Sequence, residues 1–177
     1  VYVKHQAANE WTWVGTLGDS VASDGARLIP GDYDVRYERG YYYTWQPGIV
    51  APQNAFTLVG TLSVPPSGGA LTVDIPAANV TFDLTVNGAP APTGLSEDNH
   101  GHVYVKHQAA NEWTWVGTLG DALASDGARL IPGPYDVRYE RGYYYTWAEG
   151  IVAPQNAFTI IGTLVVPPSG GALTVDI

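Results

Sequence analysis

Residues 1–75 recur at 103–177 with an offset of 102, and only eight of the 75 paired positions differ. These are Ser20/Ala122, Val21/Leu123, Asp32/Pro134, Gln46/Ala148, Pro47/Glu149, Leu58/Ile160, Val59/Ile161 and Ser63/Val165. Four of the exchanges swap one small or aliphatic residue for another, and the rest fall at turn or outward positions. A period of 102 residues is the size of a domain rather than of a solenoid repeat, so each unit is long enough to bury its own core. Residues 76–102 occur once. The chain therefore reads as an incomplete repeat, 1–75, that lacks its own first strand, followed by a complete repeat, 76–177. Residues 76–102 are the opening strand and loop of the complete repeat. Near-identity points to recent duplication or to selection for uniform modules. It is not the pattern of an enzyme with a decayed second half. The chain also starts at Val1 and holds no methionine, so it reads as a processed product or a window on a longer tandem array.

β-Branched and aromatic residues dominate, with Gly and Pro punctuation every 8–12 residues, and few stretches read as helix. Val80, Phe82, Leu84 and Val86 alternate with Thr81, Asp83, Thr85 and Asn87, the period of a half-buried strand ended by Asn87-Gly88. Further strands are predicted at 103–107, 113–116, 128–131 and 135–139. Residues 143–147 extend the last of these or open another. A long strand over 157–166 has Gly162 as its bulge, and residues 172–177 close the unit. About seven short strands per 102 residues predict an all-β chain of tandem antiparallel β-sandwich modules.

The turns carry a resemblance. Asn87-Gly88-Ala89-Pro90-Ala91-Pro92, then Ser125-Asp126-Gly127, then Ile131-Pro132-Gly133-Pro134-Tyr135-Asp136-Val137 resemble the carboxypeptidase regulatory-like (transthyretin-like) β-sandwich domain. They also resemble repeat modules of large secreted or lipid-anchored proteins of myxobacteria-like Gram-negative bacteria. The resemblance covers the first two-thirds of the complete unit. It implies an immunoglobulin-like or transthyretin-like sandwich serving as an extracellular or periplasmic accessory module, with no catalytic residues to carry over. The aromatic run after the Pro-Gly corner departs from the family pattern and leaves the ligand open.

Composition removes several function classes. Eight basic against 17 acidic side chains give a net charge of −9, and the basic residues are scattered, so nothing here would displace counterions from a nucleic acid. No apolar run approaches the ~20 residues of a membrane span. With no cysteine, disulfides, thiol nucleophiles and thiolate zinc sites are out. No hydrolase, zinc-protease or phosphate-loop motif occurs, so no enzyme is expected.

Four sets of residues remain as candidates. Aromatics make up 12% of the chain. Trp11 and Trp13 share one strand face, as do Tyr41, Tyr43 and Trp45, and the second copy repeats both sets as Trp113, Trp115, Tyr143, Tyr145 and Trp147. A small sandwich cannot bury aromatics on both faces of a strand, so some lie outside. There they either anchor protein contacts or stack on sugar rings. Asp98, His100 and His102 form a loop that could hold a divalent cation, the one cofactor left open; a solvated polar loop is the plainer reading. His5 and His107 read as satisfied strand-end histidines, and the Asp-Gly pairs at 24–25 and 126–127 as turns rather than calcium loops. Finally, Lys4 or Lys106 with Asp74 or Asp176 could form an intramolecular amide crosslink, against the plainer reading of an exposed strand lysine.

With one strand at 80–86 for two cores, whichever core takes it leaves the other with an open groove, unless the 75-residue core closes alone and 76–102 is only a linker. The tight junction at 74–80 would couple successive modules into a rod. The expected function is structural: a tandem module of an extracellular or cell-surface bacterial stalk, adhesin or filament, whose partners are copies of itself or neighbouring repeats. The alternative is a pair of carbohydrate-binding modules for polysaccharide.

Overall fold

A computed structural model describes residues 1–17, 25–39, 51–90, 101–119, 127–141 and 154–177. Among these the chain is all-β, with no helix. The first repeat contributes β1 (Tyr2–His5), β2 (Thr12–Trp13), β3 (Gly31–Tyr37) and β4 (Thr57–Val64). Then come β5 (Ala78–Val86) and β6 (Ala89–Pro90). The second repeat holds β7 (Gly101–His107), β8 (Thr114–Leu119), β9 (Ala128–Leu130), β10 (Gly133–Arg141), β11 (Thr159–Val166) and β12 (Gly171–Asp176).

The second repeat is a two-layer sandwich. One sheet runs β11-β10-β7-β8; the other has β5 flanked by β12, β6 and β9. In β5 the predicted alternation holds, with Ala78, Val80, Phe82 and Leu84 inside and Asn79, Thr81 and Asp83 outside. These side chains meet Val103, Val105, Leu119, Leu130, Tyr135 and Val137 in one core. The strand ends in a tight turn at Asn87 (φ 49°) and Gly88 (φ 76°), the paired left-handed residues of a two-residue hairpin. The register of β10 against β11 skips a residue between Gly162 and Ile160, the predicted bulge. One pairing departs from the antiparallel expectation. β12 runs parallel to β5, with Gly171 beside Val80 and Asp176 beside Thr85, because the unit's first and last strands lie side by side in the same direction.

The first repeat has a single four-stranded sheet, β2-β1-β3-β4. Its register matches that of the second repeat. Val3 pairs Val35 as Val105 pairs Val137, and the bulge recurs between Val35 and Arg36. Among the described residues this sheet pairs with no second sheet. Residues 69–74 repeat the sequence of β12, and 26–28 that of β9, yet neither segment is a strand. Asp74 therefore lies outside any strand, whereas Asp176 ends β12. In the second repeat β5 lies between these two segments and supplies the backbone partners of both. Without that central strand, neither has a ladder to join.

Candidate functional site: aromatic faces and the repeat junction

On the outer face of β1 and β3, side chains that point away from the core form a stack of cations on rings. The Arg36 guanidinium lies 4.0 Å from the Phe56 ring centroid, 4.4 Å from Trp11 and 5.6 Å from Tyr2. Lys4 lies 5.3 Å over Trp11 and 3.6 Å from Asp34, its cross-strand partner. The second repeat copies the arrangement. Arg138 sits 4.7 Å from Trp113, 4.9 Å from Tyr104 and 5.1 Å from Phe158, and Lys106 sits 3.8 Å from Asp136. Such stacking fixes the rings and covers a face of each Trp with a guanidinium. Burial lowers the Arg36 guanidinium, with the Glu38 carboxylate opposing. Burial raises the phenols of Tyr2 and Tyr104, with help from Glu38 and Glu140 respectively. Trp13 and Trp115, opposite Tyr2 and Tyr104 on the neighbouring strands, remain exposed.

The other candidates fall as follows. Lys106 pairs with Asp136, whereas Asp176 Oδ1 accepts from Gly88 N–H at 2.7 Å and Thr85 O–H at 2.8 Å. The two proposed crosslink partners are thus engaged separately. Asp74 is exposed. His102 Nδ1 lies 3.1 Å from Thr118 Oγ1. Asp98, His100, Tyr41, Tyr43, Trp45, Tyr143, Tyr145 and Trp147 lie outside the described residues. Among the described residues no group of three metal-binding side chains comes together. His107 is engaged at both ring nitrogens. Nδ1 accepts from Ala109 N–H at 3.0 Å, which places the ring proton on Nε2, 3.3 Å from Pro132 O. Its ring packs edge-on against Tyr135.

The most elaborate polar site is the junction between repeats. Residues 52–58 of the first repeat lie against the second. Asn54, almost fully buried, donates from Nδ2 to the Tyr135 hydroxyl at 2.6 Å and accepts at Oδ1 from Ile131 N–H at 2.8 Å. The Tyr135 hydroxyl in turn donates a hydrogen bond to Ile131 O at 2.6 Å. Gln53 clamps the edge of β9, donating from its N–H to Arg129 O at 2.8 Å and accepting at Oε1 from Arg129 N–H at 3.0 Å. Ala55 N–H donates to Thr114 Oγ1 at 3.1 Å, and Leu58 N–H to Ala109 O at 3.1 Å. Several of the identical residues on the two outer sides are exposed instead. Ile131 is 3% exposed and Ile29 74%. Thr114, Asn54 and Ala55 are buried, whereas Thr12, Asn156 and Ala157 are exposed. Sequence reasoning did not single out Arg36, Arg138, Asn54 or Gln53. Strand alternation in Asp34-Val35-Arg36 was a usable signal for the arginines. None existed for the junction, because a junction residue and its free copy read alike.

Comparison with family models, with curated proteins and with solved structures returned no match. No helix among the described residues is long and apolar enough to cross a membrane.

Proposed function

We propose that the chain is a structural repeat protein whose modules assemble end to end, as in an extracellular or cell-surface bacterial stalk, adhesin or filament. The reading assigns it a transthyretin-like module type, no catalysis and no cofactor. The observation that carries it is the junction. Two near-identical modules are joined by two different surfaces, the 52–58 segment of one and the Ile131–Tyr135–Thr114 face of the other. Each module therefore bears both surfaces, and Ile29 and Thr12 of one outer copy and Asn156 and Ala157 of the other are exposed. A contact between unlike patches is heterologous and propagates into a ring or an open filament.

The test is electron microscopy and sedimentation of the chain at rising concentration. Fibres with a repeat near one module length, abolished by Ile29→Asp, are expected; monodisperse particles at every concentration would count against the reading. A second reading, sugar binding, is supported by the exposed rings of Trp13 and Trp115. It predicts saturable Trp quenching by polysaccharides. Against it, Arg36 and Arg138 already occupy faces of Trp11 and Trp113.

A further inference from the structure

We propose that the junction between the repeats is pH-sensitive and that His107 is its latch: the 54–58 segment of the first repeat stays docked only while the His107 imidazole is neutral. The proposal concerns the contact inside this chain and holds whether or not chains assemble further. His107 is buried at the end of β7, and its ring touches three parts of the docking face. Nδ1 accepts from Ala109 N–H at 3.0 Å, in the turn that follows β7. Nε2 lies 3.3 Å from the Pro132 carbonyl, and so close to the Gly133 backbone that a Cβ there would collide with it. The ring also packs edge-on against Tyr135, centroids 4.9 Å apart. Each of these parts is bonded in turn to the first repeat. Ala109 O accepts from Leu58 N–H at 3.1 Å, Asn111 N–H donates to Phe56 O at 3.4 Å, and Thr57 bridges Ala110. The Tyr135 hydroxyl accepts from Asn54 Nδ2, and Ile131 N–H, one residue before Pro132, donates to Asn54 Oδ1.

A neutral imidazole with its proton on Nε2 satisfies both ring bonds. An imidazolium donates at both nitrogens, so Nδ1–H would face Ala109 N–H with no acceptor between them. Ala109 must then move, and its carbonyl is the acceptor for Leu58. Among the described residues no carboxylate faces the ring to offset this. The titratable group packed against it is Tyr135 on β10, whose phenol burial raises and keeps neutral. The 108–111 turn, the 131–133 corner and the 52–58 segment hold no titratable side chain. Lys106 and Asp136 pair on the opposite face of the sheet, and Glu112 is exposed and acts on Arg36. Burial accordingly holds the imidazole below its ordinary value, with the Pro132 carbonyl opposing. His5 builds the same turn in the first repeat, its Nδ1 accepting from Ala7 N–H at 3.1 Å, and serves as the control.

The experiment follows the isotope-labelled full chain by nuclear magnetic resonance as pH is lowered from about 8 until the His107 imidazole has titrated. Amide hydrogen-exchange protection, corrected for intrinsic exchange at each pH, is read at Leu58 and Ile131 in the junction and at Val35 and Val103 within the repeats. Protection at Leu58 and Ile131 should fall on the order of tenfold along the His107 titration curve, well beyond any change at Val35 and Val103. Each unit between the docked and undocked imidazole is about tenfold in the docking equilibrium. His107→Asn keeps an acceptor for Ala109 N–H, because an Asn side chain bonds the backbone two residues on, but it cannot titrate. In that variant the junction should hold throughout, whereas His5→Asn should leave the fall unchanged. Reciprocally, Asn54→Ala loosens the junction with the histidine in place, and should raise the His107 midpoint toward 6.5. Constant protection at Leu58 through the titration, a fall that persists in His107→Asn, or an unshifted midpoint in Asn54→Ala would overturn the proposal.

Discussion

Gly170 and Gly68 show at single-residue scale how one sequence meets two environments. Both have left-handed φ, 68° and 66°. A Cβ on Gly170 would collide with the Asn79 carbonyl oxygen on β5, whereas one on Gly68 would meet open space. Gly68→Ala should cost only the left-handed backbone penalty of about 1 kcal/mol. Gly170→Ala adds a backbone clash and should cost at least about 1 kcal/mol more. Urea denaturation of the two variants measures the difference; equal costs would contradict the close approach of β5. His107 makes a pH prediction. Burial lowers its imidazole below the ordinary 6.5, with the Pro132 carbonyl as a smaller opposing cause. The unfolded chain therefore takes up a proton at higher pH than the folded one, and stability rises with pH across that window. His107 contributes in full above 6.5 and loses that contribution as pH falls from there toward its folded value. The denaturation midpoint should drop as pH falls below the ordinary imidazole range, and His107→Gln should flatten the drop.

At the scale of elements, β5 decides which neighbouring segments become strands. Strand propensity in Gly-Ala-Leu-Thr-Val-Asp is the same at 69–74 and 171–176, yet only the second copy pairs. Propensity describes a fit to a pleated, half-buried surface; it does not supply the surface. The same contrast governs packing. Leu119→Ala removes a fully buried side chain and should cost roughly 2–5 kcal/mol. Leu17→Ala, at the identical position of the open repeat, should cost under about 1 kcal/mol. Comparing their denaturation midpoints checks this, and equal losses would mean that the first repeat closes its groove in solution. The β5 strand itself was legible in the sequence through its period-two alternation, as was the bulge at Gly162. The parallel pairing of β12 was not, because alternation names the buried face of a strand but not its neighbour.

For the whole molecule, Asn54 is the residue that ties the repeats together. Asn54→Ala would leave Ile131 N–H without its acceptor and the Tyr135 hydroxyl without its donor, both buried. It should cost roughly 1–3 kcal/mol. The loss should fall on the coupling between repeats, seen as separation of the thermal transition into two. Asn156→Ala, exposed at the free end, should change stability by less than about 0.5 kcal/mol. A calorimetric scan in which both variants behave alike would rule out the junction as the coupling element.

The sequence by itself determined the all-β class, the repeat offset of 102, the turn at Asn87-Gly88 and the inward face of β5. All of these follow from local chemistry: alternation, branching at Cβ, and glycine where φ must be positive. Tertiary structure alone decided which copy of Ile29/Ile131 is buried and whether a given six-residue segment is a strand. These outcomes depend on a partner strand and a partner module, and a residue carries no record of which neighbours will reach it. Identical sequences can therefore differ in structure wherever the stabilising contact comes from outside the repeat.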